Sequence, residues 1–267
     1  MLPQRITNQI LGGILIDADQ DILRFSVFDY EVSAQVEISA KVSEPGSVLV
    51  SGRLLSEITS KLPAAPVEFE TDGSKVIVTC GSSKFSLLTM AVEGYPNLPE
   101  IPEQTGVVAA DAFTTSVQQV VVAASRDDVT PMLTGVLIEA TQKSISLIAS
   151  DRYRVALKEI PWKSNLGATT ISAVIPSRTL AEIAKTFANQ GEISISITSQ
   201  DDREMIAFQA NNRSVTSILI RGNFPAVKTL FPEKLDNFAV VSTSELIEST
   251  RRVSLVLERE SPLRFTF

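Results

Sequence analysis

The sequence contains no histidine, and this absence removes the commonest general base and the commonest metal-binding side chain of proteins. Cys80 is the single cysteine, so no internal disulfide and no cysteine-based zinc site can form. A lone thiol fits a reducing compartment, and we expect the protein to be cytoplasmic. No apolar run approaches the roughly 18 residues that a membrane-spanning helix needs, so no membrane contact is expected.

Positive charge is also scarce. The chain of 267 residues has 24 Lys and Arg against 31 Asp and Glu, a formal charge of −7, and a pI of about 4.9. Proteins that bind nucleic acid usually show a basic balance, so this total argues against DNA. The argument weakens if charge is segregated by face, because a sum over the chain hides such an arrangement.

The residues that remain do not form a catalytic constellation. Without histidine there is no Ser-His-Asp or Cys-His pair. Cys80 ends an apolar run and is interpreted as a structural thiol. Adjacent aspartates at 127–128 and 201–202 lie in predicted loops without the spacing of a metal loop, so turn chemistry is favoured. The sequence predicts no catalytic residue, no metal and no cofactor.

The second half of the chain repeats the first. Asp29 aligns with Asp151, 122 positions later, and Arg53 aligns with Arg178, 125 positions later. The offsets grow slowly and the order is kept, as small loop insertions would produce. The aligned segments are 12–18 with 134–140, 25–34 with 147–156, 50–58 with 175–183, and 94–96 with 222–225.

A third copy begins near the end, where Val253 lies 133 positions beyond Val120. The predicted helix at 111–126 has no counterpart before the first copy, so the chain is expected to be cut at both ends. Proline-rich stretches at 96–106 and 224–237 are predicted linkers. The predicted domains are 1–103, a first copy without its first helix; 104–233, a complete second copy; and 234–267, the start of a third.

Each copy has the pattern of an α+β fold, with two helices packed on antiparallel strands. Apolar residues recur at helical spacing, which gives each predicted helix one apolar face. Ser242 and Glu245 form a capping box that opens a helix of the third copy. The predicted helices span 111–126, 51–62 and 177–187, and the predicted strands include 10–16, 76–78, 136–138, 193–197 and 214–220.

The densest polar cluster is the turn at 150–154, Ser-Asp-Arg-Tyr-Arg. An aspartate in a tight turn usually caps its own backbone, so Asp151 and its repeat partner Asp29 are interpreted as structural. That interpretation does not explain Arg152, Tyr153 and Arg154 together, a mixture that is favoured at binding surfaces.

Taken in order, these segments resemble the bacterial DNA polymerase III beta subunit family, the sliding clamps. The resemblance covers almost the whole chain, and the turn DRYR with the later Pro161-Trp162 is most similar to actinobacterial members. The segments that carry it are VSGRLLSEI (50–58), GYPNLP (94–99), TPMLTGVLIEA (130–140), ASDRYRVA (149–156), VIPSRTLAEIAK (174–185), RGNFPAVKTLFP (221–232) and ELIESTRRVSLVLERE (245–260).

The resemblance implies a DNA-clamp fold and, for a full-length chain, a head-to-tail homodimeric ring around double-stranded DNA of any sequence. Such a ring is a non-catalytic, processivity-conferring subunit of the polymerase holoenzyme, which slides and keeps the polymerase at a high local concentration. The implied partners are the DNA polymerase III catalytic subunit, the clamp loader and repair proteins, each bound through a short motif rich in Leu and Phe.

Matching positions imply three sets of functional residues. In the DNA-facing set, which attracts phosphate loosely, Lys185 and Arg251 are placed by helical face alone. The DNA-facing residues are Arg53, Arg126, Arg178, Lys185 and Arg251; the partner-peptide pocket comprises Leu133, Ser150, Arg152, Tyr153, Arg154, Val155, Pro225, Thr229 and Leu230; and the contact with the second subunit comprises Leu255 and Val256.

Two departures from the family pattern lie in the peptide pocket. Arg152-Tyr153 stands where many members carry Gly-His, which is expected to narrow the mouth, and Thr229 stands where arginine is common. Two alternatives stay open. One is a truncated or paralogous clamp-like module that binds partner peptides without closing a ring on DNA. The other is an unrelated repeat-built α+β enzyme, which the absence of histidine disfavours.

Overall fold

The computed structural model describes residues 9–198, 204–232, 234, 237–258 and 261–266. The chain falls into two compact units, the first ending at Pro225 and the second beginning at Ala226. Within the described ranges, no helix is long and apolar enough to cross a membrane. We keep the names first repeat and second repeat for residues 1–103 and 104–233; these boundaries stay predictions.

The first repeat is built mainly from antiparallel strands. Its first strand starts later than predicted, because Ile10 to Gly12 lie in a 3-10 turn, Gln9–Gly12. A Cβ on Gly13 would lie 2.9 Å from the Ile10 carbonyl oxygen, so the chain leaves this turn in a space that only glycine fits. The elements are β1 (Gly13–Asp19), β2 (Ile22–Phe28), β3 (Val32–Ser39), β4 (Gly46–Ser51), α1 (Gly52–Thr59), β5 (Val67–Asp72), β6 (Lys75–Cys80) and β7 (Ser83–Met90).

The second repeat has two main helices and more strands. A helix of the second compact unit, α5 (Thr243–Ser254), follows it. The elements of the second repeat are β8 (Gly106–Ala109), α2 (Ala110–Val120), α3 (Pro131–Thr134), β9 (Gly135–Ala140), β10 (Ser144–Ser150), β11 (Val155–Pro161), β12 (Lys163–Ser164), β13 (Ile171–Pro176), α4 (Ser177–Phe187), β14 (Glu192–Thr198), β15 (Met205–Ala210) and β16 (Arg213–Ile218).

Strand order confirms the repeat-built α+β fold. The order β3-β2-β1-β4 in the first repeat matches β11-β10-β9-β13 in the second, and every registered pair in both sets is antiparallel. A 12-stranded sheet runs β12-β8-β14-β15-β16-β3-β2-β1-β4-β7-β6-β5, and a four-stranded sheet comprises β11-β10-β9-β13. The pairing of β16 with β3 makes one ladder continuous across both repeats.

The largest core lies in the second repeat, where α2 and α4 pack on the four-stranded sheet and on each other. Phe113 of α2 and Phe187 of α4 are fully buried. The Phe113 ring lies 5.6 Å from that of Phe208, which brings β15 of the large sheet into the same core. Removing a fully buried aromatic ring typically costs about 3–5 kcal/mol, so these contacts fix how helix and sheet pack.

Most predicted elements are confirmed, and the differences occur at element ends. Helix α4 spans the predicted 177–187. Helix α2 ends at Val120 instead of Arg126: three consecutive valines, 120–122, disfavour a helix, and the Ser125 amide donates to the Leu133 carbonyl (2.8 Å). Arg126 therefore follows a 3-10 turn, Val121–Ala123, and does not lie on a helix.

Three other local predictions have mixed outcomes. Helix α5 begins at the predicted place, but the capping box does not form, because the Ser242 hydroxyl bonds the Ser244 hydroxyl (3.0 Å). Asp127 accepts the Val129 amide (3.0 Å), which is the predicted turn chemistry. The aspartates at 201–202 lie outside the described residues.

Candidate functional site

The turn between β10 and β11 is organised by one carboxylate. Asp151 Oδ1 accepts the backbone N–H groups of Tyr153 (3.1 Å) and Arg154 (3.0 Å). Asp151 Oδ2 also pairs with Arg154 Nε at 2.9 Å. The interpretation of Asp151 as a backbone cap is confirmed, and part of the positive charge of the turn is engaged within it.

The pKa of Asp151 follows from these contacts. Desolvation raises the pKa, but the hydrogen bonds from Arg154 and Tyr153 and the charge of Arg154 together outweigh that effect. The net result is a pKa below the ordinary value of 3.8, so Asp151 stays ionised and the turn stays closed at neutral pH.

The first repeat has the same turn. Asp29 Oδ1 accepts the backbone N–H groups of Glu31 (3.0 Å) and Val32 (2.8 Å). Tyr30 has a φ of +73°, and Arg152, 122 positions later, has a φ of +80°. A left-handed residue other than glycine costs roughly 1 kcal/mol, so keeping it in both repeats shows that the two turns are structurally equivalent.

Arg152 ties the turn to the short helix α3. Its guanidinium donates to the Thr130 hydroxyl, and its backbone N–H donates to the Ser150 hydroxyl at 3.2 Å. Thr130 also accepts the Leu133 amide through its carbonyl (3.0 Å). The structure therefore brings Ser150, Arg152 and Leu133 together through Thr130.

The other pocket residues of this turn differ in exposure. Leu133 of α3 and Ser150 at the end of β10 are buried. Tyr153 is 96% exposed and Arg154 is also exposed, so both are open to a partner. Val155 is half-buried where β11 begins.

The end of the second repeat also reaches α3. Gly222 has a φ of +134°, and a Cβ at this position would lie 3.0 Å from the sulfur of Met132. The predicted pocket residue Pro225 follows three positions later and is exposed. Thr229 and Leu230 belong to the second compact unit, where both are exposed in the 3-10 turn Val227–Leu230.

Sequence reasoning missed Thr130, Met132 and Gly222 as parts of this site. All three lie in segments that carry the family resemblance, TPMLTG and RGNFP. A proline that opens α3 directly after Thr130 is the local signal for a short helix there. The contact between Met132 and Gly222 joins residues 90 positions apart and has no local signal.

The predicted DNA-facing residues Arg53 and Arg178 are exposed on equivalent helices. Arg53 of α1 pairs with Glu57 at 2.9 Å, and this hydrogen bond and charge raise its pKa. Arg178 of α4 is exposed, and no ion pair of Arg178 occurs among the described residues. The glutamate equivalent to Glu57 is Glu182, which pairs with Lys185 (2.6 Å).

The remaining predicted residues lie outside those two helices. Arg126 is exposed in the segment after the 3-10 turn Val121–Ala123. Arg251 is exposed on α5, in the second compact unit. Leu255 and Val256, the predicted subunit contact, are 85% and 82% exposed just after α5.

Comparison with known proteins identifies the family. The model of the DNA polymerase III beta subunit N-terminal domain matches residues 1–99, and the model of the central domain matches residues 107–226. Together they cover most of the chain in the same order as the two repeats.

Individual relatives agree. The chain is 43% identical over its whole length to the beta sliding clamp of Streptomyces coelicolor, of which it covers 71%. It is 46% identical over 97% of its length to that of Micrococcus luteus, covering 83% of it. The crystal structure of the Bacillus subtilis clamp superposes with a TM-score of 0.86 at 29% identity, over 97% of this chain and 70% of that one. The chain therefore belongs to the DNA polymerase III beta subunit family, the beta sliding clamps of bacteria.

Proposed function

We propose that this chain acts as a sliding clamp that encircles duplex DNA as a head-to-tail homodimeric ring and tethers the replicative polymerase. The clamp makes and breaks no bond. It acts by holding the polymerase near the primer end, where the effective concentration set by the tether replaces diffusion from solution. The proposed location of the protein is the cytoplasm, where bacterial replication takes place.

The observation that carries this proposal is the pair of outward arginines on equivalent helices. Arg53 and Arg178 lie 125 positions apart, each on the second residue of its helix, and both are exposed. Arg126, Lys185 and Arg251 complete the proposed DNA-facing set. Arginine at the same exposed point of both repeats in an acidic chain supports a role in phosphate contact.

The proposed attraction to DNA is weak because two of the cations are paired with glutamates. Arg53 and Lys185 each share their charge with a glutamate on the same helix. Contacts with phosphate alone carry no sequence information, and partly compensated cations release few counterions. This combination suits a ring that must move along DNA instead of holding one position.

The partner-peptide pocket is proposed at the turn 150–154 together with α3. Leu133 and Ser150 are buried, whereas Tyr153 and Arg154 are exposed, and a partner motif is proposed to place its apolar anchor beside this turn. The family resemblance adds Val155, Pro225, Thr229 and Leu230 to the proposed set of peptide-binding residues. Polymerase, clamp loader and repair proteins are proposed to insert short Leu- and Phe-rich motifs here.

The predicted domain boundaries, 1–103, 104–233 and 234–267, belong to the same proposal. Separate family models for 1–99 and 107–226 support the first two. Leu255 and Val256, both exposed, are proposed to meet the first repeat of a second subunit.

Retention on circular DNA tests the ring. The chain is loaded by its clamp loader and ATP onto nicked circular duplex, then washed in about 1 M salt, where the Debye length is about 3 Å and electrostatic binding is screened. We expect retention on the circle and loss after linearisation. Equal loss from circular and linear DNA would refute encirclement.

The DNA-facing residues have a separate test. In equilibrium binding to a short duplex, replacing Arg53 and Arg178 by alanine is expected to reduce the slope of log K against log salt by about 1 to 2, since each full phosphate contact contributes about 0.9 and Arg53 shares its charge with Glu57. Lys84→Ala is the control, because Lys84 is an exposed cation on β7 and belongs to neither helix. An unchanged slope in the double variant would remove both arginines from the DNA-facing set.

A second candidate function is a peptide-binding module that does not close a ring. It is favoured by the completeness of the turn 150–154 and α3 inside the first compact unit, which ends at Pro225. A Leu- and Phe-rich peptide that binds a chain unable to stay on circular DNA would select this function.

A further inference from the structure

A cavity of about 290 Å³ lies where the two repeats share their ladder. One wall comes from the first repeat, with Phe28, Tyr30 and Glu31, and the other from the second, with Met205, Thr216 and Ile218. Pro99 of the connecting segment closes one side. Ligand pockets usually measure about 300–1,000 Å³, so this one admits one or two side chains and not a nucleotide or other large cofactor.

One wall of this cavity is the turn of the first repeat that is equivalent to the turn of the proposed peptide pocket in the second. Phe28 and Tyr30 align with Ser150 and Arg152 at the offset of 122, on the turns that Asp29 and Asp151 cap in the same way. The fold therefore presents an equivalent of the peptide-binding turn beside an apolar cavity.

The walls of the cavity are held in place before any ligand arrives. The Ile218 amide donates to the Glu31 carbonyl (2.9 Å), and the Ser33 and Thr216 hydroxyls lie 2.7 Å apart. Met205 pairs with Ile218 in the register of β15 and β16. A preformed cleft loses little conformational entropy on binding, which favours a small anchor.

The rim is aromatic, apolar and acidic. Tyr30 is 61% exposed with its ring 5.5 Å from that of Phe28, and Ile218 is 40% exposed. Glu31 is exposed and carries the only charge among the described residues that line the cavity. The equivalent turn of the second repeat carries Arg152 and Arg154 instead, so the rim charge is reversed.

The geometry points to a second docking cleft, which takes a short peptide with one Leu or Phe anchor beside a Lys or Arg. The anchor fills the cavity against Met205 and Ile218, and the cation meets the Glu31 carboxylate and the face of Tyr30. This inference rests on the proposed peptide pocket of the second repeat. The cleft of the first repeat is expected to prefer basic peptides, whereas the pocket of the second is expected to prefer acidic ones.

Two fluorescent octapeptides test the cleft by anisotropy with the full chain. Both contain Leu-Leu-Phe; one has two flanking lysines and the other has two glutamates. Glu31→Lys is expected to weaken the lysine peptide about three- to tenfold, consistent with loss and reversal of one rim charge. Glu44→Lys makes the same charge change at an exposed loop position outside the cavity and is expected to leave its affinity unchanged.

Tyr30→Asn gives a second variant, because Asn tolerates the positive φ of this position while the ring is lost. It is expected to weaken the lysine peptide as well, with an unchanged circular dichroism spectrum. A benzophenone in place of the peptide Phe should crosslink to tryptic fragments 25–41, 204–213 or 214–221, which contain the cavity walls.

The outcomes separate this cleft from the proposed function. Crosslinks of the lysine peptide confined to fragments of 144–158 would overturn the second cleft, as would equal effects of Glu31→Lys and Glu44→Lys. Absence of lysine-peptide binding up to about 1 mM would also overturn it. The glutamate peptide reports independently, since its binding at the turn 150–154 depends on the proposed function alone.

Discussion

Replacing Asp151 by alanine is expected to destabilise the second repeat by about 2 kcal/mol. The change removes two backbone hydrogen bonds and the ion pair with Arg154 from a side chain that is 20% exposed. Hydrogen bonds to a charged acceptor contribute about 1.5–3 kcal/mol each, but turn amides regain water when the acceptor is lost, so the sum stays near the value for one bond. With urea m-values of about 1–3 kcal/mol/M, the midpoint should fall by about 1 M.

Trp162 makes the assay local. It is the single tryptophan, it is buried, and its indole N–H donates to the Thr141 carbonyl at 2.8 Å in the second repeat. Its fluorescence therefore follows unfolding of the repeat that contains Asp151. Asp151→Asn keeps an acceptor oxygen for the turn but loses the charge, and it should lie between wild type and the alanine variant.

Asp29→Ala is the matched control in the first repeat. Asp29 caps the same kind of turn with two backbone contacts, whereas Asp151 has the Arg154 pair in addition. The loss of unfolding free energy should therefore be larger in Asp151→Ala than in Asp29→Ala by the contribution of one exposed ion pair, about 0.2–1 kcal/mol. This difference should shrink at high salt.

The contribution of Asp151 to stability should decrease in acid. Asp151 has a lowered pKa, so its contribution is complete above the ordinary value of 3.8 and is lost as pH falls through the lower native value. Wild type and Asp151→Ala should therefore converge in acid. An unchanged urea midpoint for Asp151→Ala at neutral pH would refute the reasoning.

Three further changes probe the scaffold around the site. Thr105→Val removes the buried acceptor of the Ile197 amide (2.8 Å) and should cost about 1–3 kcal/mol, visible as faster hydrogen exchange at Ile197 and a lower melting temperature. Gly106→Ala places a Cβ 2.5 Å from the Trp162 ring and should cost about 1–3 kcal/mol and shift Trp162 emission, whereas Gly167→Ala meets nothing within 4 Å and should do neither. Burial raises the pKa of Tyr95 above its ordinary value of 10.0, although its hydroxyl accepts a hydrogen bond from the Phe28 N–H. A pH titration of phenolate absorbance should therefore show a late step that Tyr95→Phe abolishes. The free energy of unfolding should fall as pH rises through that step.

Sequence patterns predicted what depends on neighbours along the chain. Helix α4 matches its prediction because Leu180, Ile183 and Phe187 recur at helical spacing and are all buried. The Asp151 cap was predictable because its partners lie two and three residues away. The end of α2 was not, since Ser125 leaves the helix to bond Leu133.

In the candidate site, too, the features that depend on residues distant along the chain could not be predicted. The family resemblance supplied Ser150, Arg152 and Leu133, whereas the bond from Arg152 to Thr130 spans 22 residues and requires a left-handed φ that no local pattern indicates. The cavity beside Tyr30 has no sequence signal at all, because its two walls meet only through the pairing of β3 with β16.

The pairing of β3 with β16 can form only after the ribosome has synthesised both strands. Ser33 and Thr216 are 183 positions apart, and at about 5–20 residues per second the ribosome needs about 10–40 s to deliver β16 after β3. During this interval the edge of β3 has no partner from its own chain, and a neighbouring nascent chain can offer one. Crowded polysomes should therefore favour exchange of β16 between copies, while slow initiation or a chaperone at the β3 edge should favour closure within one chain.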